Sequence, residues 1–147
     1  MIVVMEDRVA RRVRSNRMRM PWQAILATQF RDYTIDDDVL CAMPRGIGDE
    51  VEVVFFLPDH CMSIDKLENE YRSRDLVPAD PYSLAGINEA DLHFSFDYPN
   101  STYWKDRSGK WCQATFAGWS VRIIYIDSEV SDTMWCAGIV ANTPESA

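Results

Sequence analysis

Long apolar runs are missing from this 147-residue chain. Its start, "MIVVMEDRVARRVRS", turns acidic and arginine-rich after a short apolar stretch, which fits neither the core of a signal peptide nor a membrane span. The expectation is a cytoplasmic protein without a membrane partner. Cysteine is sparse as well: Cys41, Cys61, Cys112 and Cys136 form no C-x-x-C pair. In a reducing compartment they should be free thiols, which argues against a disulfide scaffold. The few glycines include Gly46 and Gly48, but no lysine follows at the place a phosphate loop requires. They read as turn residues. Only two histidines, His60 and His93, are available for acid–base or metal chemistry.

What is present is a composition close to that of ordinary globular proteins, with 47% hydrophobic and 26% charged residues. A chain of this length can bury roughly two-thirds of its unfolded surface, so it should fold without a metal or cofactor. The net charge of −8 is unevenly distributed. Residues 1–20 hold six arginines against Glu6 and Asp7, giving +4, whereas the remainder carries −12. This arginine-rich segment, with Arg8, Arg11, Arg12 and Arg14 at its centre, either folds onto the acidic body or meets nucleic acid. The body's own charge favours the first reading, because it repels phosphate over a Debye length of about 8–10 Å.

Periodicity gives the elements. Val9, Val13 and Met20 suggest a short helix from Arg8 to Met20, ended by Pro21. A second helix starts at Pro21, with Trp22, Ile25, Leu26 and Phe30 on one face. The stretch "DYTIDDDVLCAMPRGIGDE" reads as loop with at most a short extended piece, and Asp36 to Asp38 as solvated surface, because the run lacks the glycine and glutamate of a calcium-binding EF-hand. Val51–Leu57 is a β-branched and aromatic strand. Ser63 and Asp80 are N-caps, the first preceding Ile64, Leu67 and Tyr71 on one helix face, the second preceding Pro81, Leu84 and Ile87. After loop to about Ser101 come four strands, Thr102–Lys105, Lys110–Phe116, Ser120–Ile126 and Met134–Val140. The expected architecture is a single α+β domain: a mostly antiparallel β-meander of about five strands with short helices packed on it.

Asp106-Arg107-Ser108-Gly109 suits a type I turn closed by a left-handed glycine, which sets Lys105 opposite Trp111, Trp104 opposite Cys112 and Tyr103 opposite Gln113. One face of the hairpin then carries Trp104, Cys112, Ala114 and Phe116, an apolar set that belongs in a core. The other carries Tyr103, Lys105, Trp111 and Gln113 beside Thr115, a mixture on which a partner could stack. Against this, strands such as Val51–Leu57 are apolar on both faces, and a sheet of that kind is covered on both faces.

Catalytic signatures are weak. Asp59-His60-Cys61 could supply an activated thiolate, or two zinc ligands joined by distant Cys112 or His93. Asp91-Leu92-His93, with Asp97 nearby, could form a carboxylate-oriented general base. Neither has a recognised motif around it.

From "LENEYRSRDL" through "LVPADPYSLAGINEADLHF" to "YPNSTYWKDRSGKWCQATF", the chain resembles a group of small bacterial and mobile-element proteins with the patterns EYxxRGLVPADPYxLAxxN and HPNxTHWKDxDGKWCxAxF. The resemblance spans Gly48 to Phe116 and implies no activity, cofactor or partner. Asp75 stands where the pattern has glycine, and Tyr103 where it has histidine. The functional expectation is an accessory or regulatory protein, of the kind a phage or other mobile element carries, that binds another protein. The alternatives are a hydrolase built on His60 or His93, and nucleic-acid binding through the arginine segment.

Overall fold

The computed structural model describes residues 8–141. Its frame is an eight-stranded mixed sheet flanked by five short helices. The order across the sheet is β1 (Arg8–Val13), β3 (Val51–Phe56), β8 (Trp135–Val140), β5 (Asn100–Lys105), β6 (Trp111–Ala117), β7 (Ser120–Tyr125) and β2 (Asp32–Ile35). The short β4 (Leu76–Pro78) also pairs with β8. Neighbours are antiparallel except β5 with β8 and β2 with β7.

Alternation along β3 shows why the sheet is buried on both sides. Val53 and Phe55 enter one core, and Val54 and Phe56 the other. The first core lies beneath α1 (Pro21–Leu26), α2 (Asp37–Cys41), α4 (Pro81–Ala90) and α5 (Phe94–Asp97), and takes in Ile25, Leu40, Leu84, Phe94, Trp104 and Phe116. The second lies beneath α3 (Ile64–Ser73), whose Leu67 and Tyr71 meet Phe56, Tyr103 and Cys136. Covering both faces removes the strands from water as their composition requires. The α+β class and the short helices agree with the sequence.

The strand count does not. The chain forms a meander only through β5, β6 and β7. Tyr125 ends β7 opposite Cys112, near the hairpin tip, whereas Trp135 begins β8 opposite Asn100, at the other end of β5. The connection must therefore run the length of the hairpin. It is anchored midway by Val130, which exchanges backbone hydrogen bonds with Met62 at 2.8 and 3.1 Å. This delivers β8 into the middle of the sheet.

The helix expected from Arg8 to Met20 is instead strand β1, followed by turn. Val9 and Val13 share a face in either conformation, since a spacing of four is also a multiple of two. Between them Arg11 occupies the same face and lays its guanidinium over the Phe94 ring, 5.1 Å from the centroid. The aspartate run is likewise structured. Asp36 caps α2, accepting from the backbone N–H groups of Asp38 and Val39 at 3.0 and 3.3 Å. Asp37 and Asp38 occupy the first turn, where the helix dipole favours them.

Ser63 and Asp80 cap α3 and α4 as expected, through the N–H groups of Lys66 and Ser83. Asn100 is buried at the start of β5 and donates to the Asn88 side chain at 3.2 Å. The opening residues of the arginine segment, including Glu6 and Asp7, lie outside the described residues.

Candidate functional site

The hairpin register is the one expected: Lys105 faces Trp111, Trp104 faces Cys112 and Tyr103 faces Gln113. Asp106 builds its turn, accepting from the hydroxyl and N–H of Ser108 and from the N–H of Lys110 at 2.7–2.9 Å. These donors, the Ser108 hydroxyl first, hold its carboxyl below the usual pKa range. Gly109 takes the left-handed conformation, at φ +87°.

The mixed face of this hairpin is less open than its composition suggests. Tyr103 is buried in the second core and shares a hydrogen bond with Ser101 at 2.6 Å. It contributes to packing rather than to a surface, because α3 and the β7–β8 connection cover this part of the sheet. Trp111 is half-buried, with its indole N–H toward Asp65 of α3 at 3.4 Å and the Lys105 ammonium over its ring at 5.0 Å. Gln113 is half-buried, and Lys105 is exposed.

The arginine segment is folded onto the body. Arg12 and Arg14 both approach Glu50, at 3.5 and 3.6 Å. Arg19 grips Glu89 with two nitrogens at 2.7 and 3.2 Å, and Arg17 pairs with Asp80 at 2.8 Å. Arg8 is exposed at the start of β1, an edge strand, where charge discourages pairing with another sheet.

His60 and Cys61 are exposed in the loop between β3 and α3. Asp91 accepts from the backbone N–H of His93 at 3.1 Å, so its carboxylate serves the turn into α5 and does not orient the imidazole. All four cysteines are free thiols. Burial pushes Cys112 up to about 11 and Cys136 to about 12, which disfavours thiolate chemistry at either. Among the described residues no group of three or more His, Cys, Asp or Glu side chains is placed to hold a metal ion, and no helix is long and apolar enough to cross a membrane.

The arrangement that the sequence reading missed is an aromatic cluster at the far end of β6. A two-residue turn, Gly118-Trp119, joins β6 to β7. The Trp119 carbonyl accepts from the N–H groups of Arg31 and Asp32 at 2.9 and 3.1 Å, which brings Arg31 over the indole ring, 5.1 Å from its centroid. On the other side, Ser95 Oγ donates to the Gly118 carbonyl at 2.7 Å and the Gly118 N–H donates to the Ser95 carbonyl at 3.3 Å. These two bonds lock α5 to the turn.

Phe96 consequently stands edge-on to Trp119 at 5.0 Å, with His93 6.1 Å from both rings. Phe30 supports Trp119 from the core at 6.3 Å. Trp119 itself, the third tryptophan within sixteen residues after Trp104 and Trp111, was the available signal. Its partners Phe96 and His93 lay in a segment that reads as loop, so sequence spacing did not unite them. No family model, curated protein or solved structure matches this chain.

Proposed function

We propose that this protein works by binding a protein partner through the aromatic end formed by His93, Phe96 and Trp119 with Arg31. The observation that carries the reading is Phe96: 47% exposed, it is nonetheless fixed against Trp119 by hydrogen bonds in the turn and α5. An aromatic side chain held in place but left in water is a pre-set anchor, and aromatic residues with arginine are the types enriched at interface centres. This role suits an accessory or regulatory protein of the bacterial and mobile-element kind that the sequence resembles.

The test is affinity capture from the native host, with wild type and Phe96→Ala compared by quantitative mass spectrometry. A partner held by wild type should fall at least tenfold with Phe96→Ala, while the variant's stability stays within about 1 kcal/mol. Undiminished capture would remove the aromatic end from the function. Loss with Trp111→Ala alone would move the site to the hairpin face of Lys105, Trp111 and Gln113.

A second reading, nucleic-acid binding through Arg8, Arg11, Arg12 and Arg14, draws on one observation. Arg12 and Arg14 share a single carboxylate and remain 66% and 76% exposed. A gel-shift assay at two salt concentrations tests it, and binding that weakens steeply with salt is the expected mark.

A further inference from the structure

The order of the sheet ends on β1 and β2, and the hydrogen bonds of β2 show which of its backbone groups are spare. The Asp32 N–H donates to the Trp119 carbonyl at 3.1 Å and the Asp36 N–H to the Ile123 carbonyl at 2.8 Å. In an extended strand one residue's N–H and C=O point to the same side and its neighbour's to the other. Asp32, Thr34 and Asp36 therefore serve the ladder with β7. Tyr33 and Ile35 turn theirs outward, where no strand lies among the described residues.

That edge is open to water. Asp32 and Thr34 are exposed, Tyr33 is 37% exposed, and only Ile35 leans into the first core. The opposite edge is guarded by the exposed Arg8, Arg11 and Arg12 of β1. On β2 the two residues with spare backbone groups are uncharged, and both are of types that suit strands.

The open edge begins at the aromatic end. The Trp119 carbonyl accepts from Arg31 as well as Asp32, so β2 starts from the turn that carries the indole ring. The first spare group, the Tyr33 N–H, comes two positions after Arg31. Charge names the kind of segment that fits. Asp32, Asp37 and Asp38 are exposed and Asp36 is half-buried. Against them stand Arg31, held over the Trp119 ring, and Arg122, in register with Thr34 one strand inward. The flank is acidic and the whole chain carries −8, which disfavours a second copy and draws a basic strand.

From this juxtaposition we infer that the partner of the aromatic end also adds an extended, lysine- or arginine-bearing segment along the open edge of β2. The inference rests on the docking proposed for Phe96 and Trp119. The segment exchanges backbone hydrogen bonds with Tyr33 and Ile35, and its basic side chains answer Asp32 and the aspartates that follow β2.

The probe is N-acetyl-Lys-Val-Arg-Val-Lys-amide, titrated at low salt into full-length protein labelled at its amide nitrogens. The amide resonances of Tyr33 and Ile35 should move downfield and saturate, while those of Asp32 and Thr34, already bonded to β7, move least. That alternation separates strand addition from loose charge attraction. Tyr33→Pro removes one outward N–H at a place where an edge strand tolerates proline, and should weaken binding about tenfold. Thr34→Lys changes only an exposed side chain, so it should keep the fold and weaken binding severalfold by like charge. Unmoved Tyr33 and Ile35 resonances at millimolar peptide, shifts without alternation, or equal binding of N-acetyl-Glu-Val-Glu-Val-Glu-amide would overturn the inference. Shifts that appear with protein concentration alone would also overturn it, by assigning the edge to a second copy of the chain. Capture from the native host separates the inference from the reading beneath it. Loss with Phe96→Ala but not with Thr34→Lys overturns the added strand and keeps the aromatic end, whereas loss with Thr34→Lys alone overturns the aromatic end.

Discussion

Arg17 donates to the carboxylate of Asp80 at 2.8 Å, and the remaining four N–H groups of its guanidinium are also bonded, to the carbonyls of Arg45, Ile47 and Gly48 and to the Ser83 hydroxyl. Asp80 in turn accepts from the Ser83 N–H and hydroxyl, both at 2.8 Å, so one carboxylate caps α4 and holds the arginine segment. Both side chains are largely buried, at 14% and 11% exposure.

Removing one partner strands the other's charge, and Arg17→Met should therefore cost about 3–5 kcal/mol. Arg17→Lys should recover little of that, because three tetrahedral donors cannot replace a planar fork of five. Gly46 belongs to the same unit. It has φ +71°, and an added Cβ would fall 2.2 Å from the Asp80 carboxyl carbon. Gly46→Ala should be comparably harmful, and the double variant should lose less than the two costs together. Urea denaturation midpoints check all four variants, and additive losses would separate Gly46 from the latch.

The two hairpin tryptophans should behave differently. Trp104 sits in the first core, and Trp104→Ala should cost about 3–5 kcal/mol through the cavity it leaves. Trp111 is half-buried under α3, and its truncation should cost about 1–2 kcal/mol. Equal losses would mean that α3 covers Trp111 as completely as the core covers Trp104.

Local chemistry was the part of this fold that the sequence made legible. A turn with aspartate first and glycine fourth dictated the Trp104–Cys112 register, and Ser63 and Asp80 announced their helices through side chains that bond within three residues. Long-range pairing was not legible. Whether Val9 and Val13 mark a helix or a strand depends on β3, which lies some forty residues away and offers β1 an edge. The Phe96–Trp119 contact depends in the same way on Ser95 meeting Gly118 across 23 positions.

The thiols provide a pH test. Burial raises Cys112 to about 11 and Cys136 to about 12, and it also raises the phenols of Tyr71 and Tyr103. An unfolded thiol titrates near 8.5. Above about that pH the unfolded chain releases protons that the folded chain keeps, so it binds fewer protons and stability must fall as pH rises. The melting temperature should be lower at pH 10 than at pH 8. In the same range a thiol reagent should find exposed Cys41 and Cys61 in the native protein, and all four cysteines only after denaturation. A flat stability profile with four fast thiols would contradict the burial of Cys112 and Cys136.

Asp75 is a place where this sequence departs from the pattern it resembles and the backbone records the departure. It follows α3 with φ +56°, in the left-handed region that glycine enters without strain and other residues enter at a cost. Its backbone is fully engaged: the N–H donates to the Arg72 carbonyl at 3.1 Å, and the carbonyl accepts from Ala141 at 2.9 Å, beyond the end of β8. Asp75→Gly keeps both bonds and removes the Cβ conflict. The relief, roughly 1–2 kcal/mol for a general residue and less for aspartate, exceeds the added unfolded-state entropy of glycine, which is about 0.4–1 kcal/mol. Asp75→Gly should therefore stabilise the protein by up to about 1 kcal/mol. Asp75→Ala keeps the conflict and loses aspartate's tolerance of this conformation, so it should be the less stable of the two variants. Denaturation midpoints of the three proteins in one buffer decide the matter, and glycine ranking at or below alanine would show that the left-handed turn after α3 is not where the strain resides.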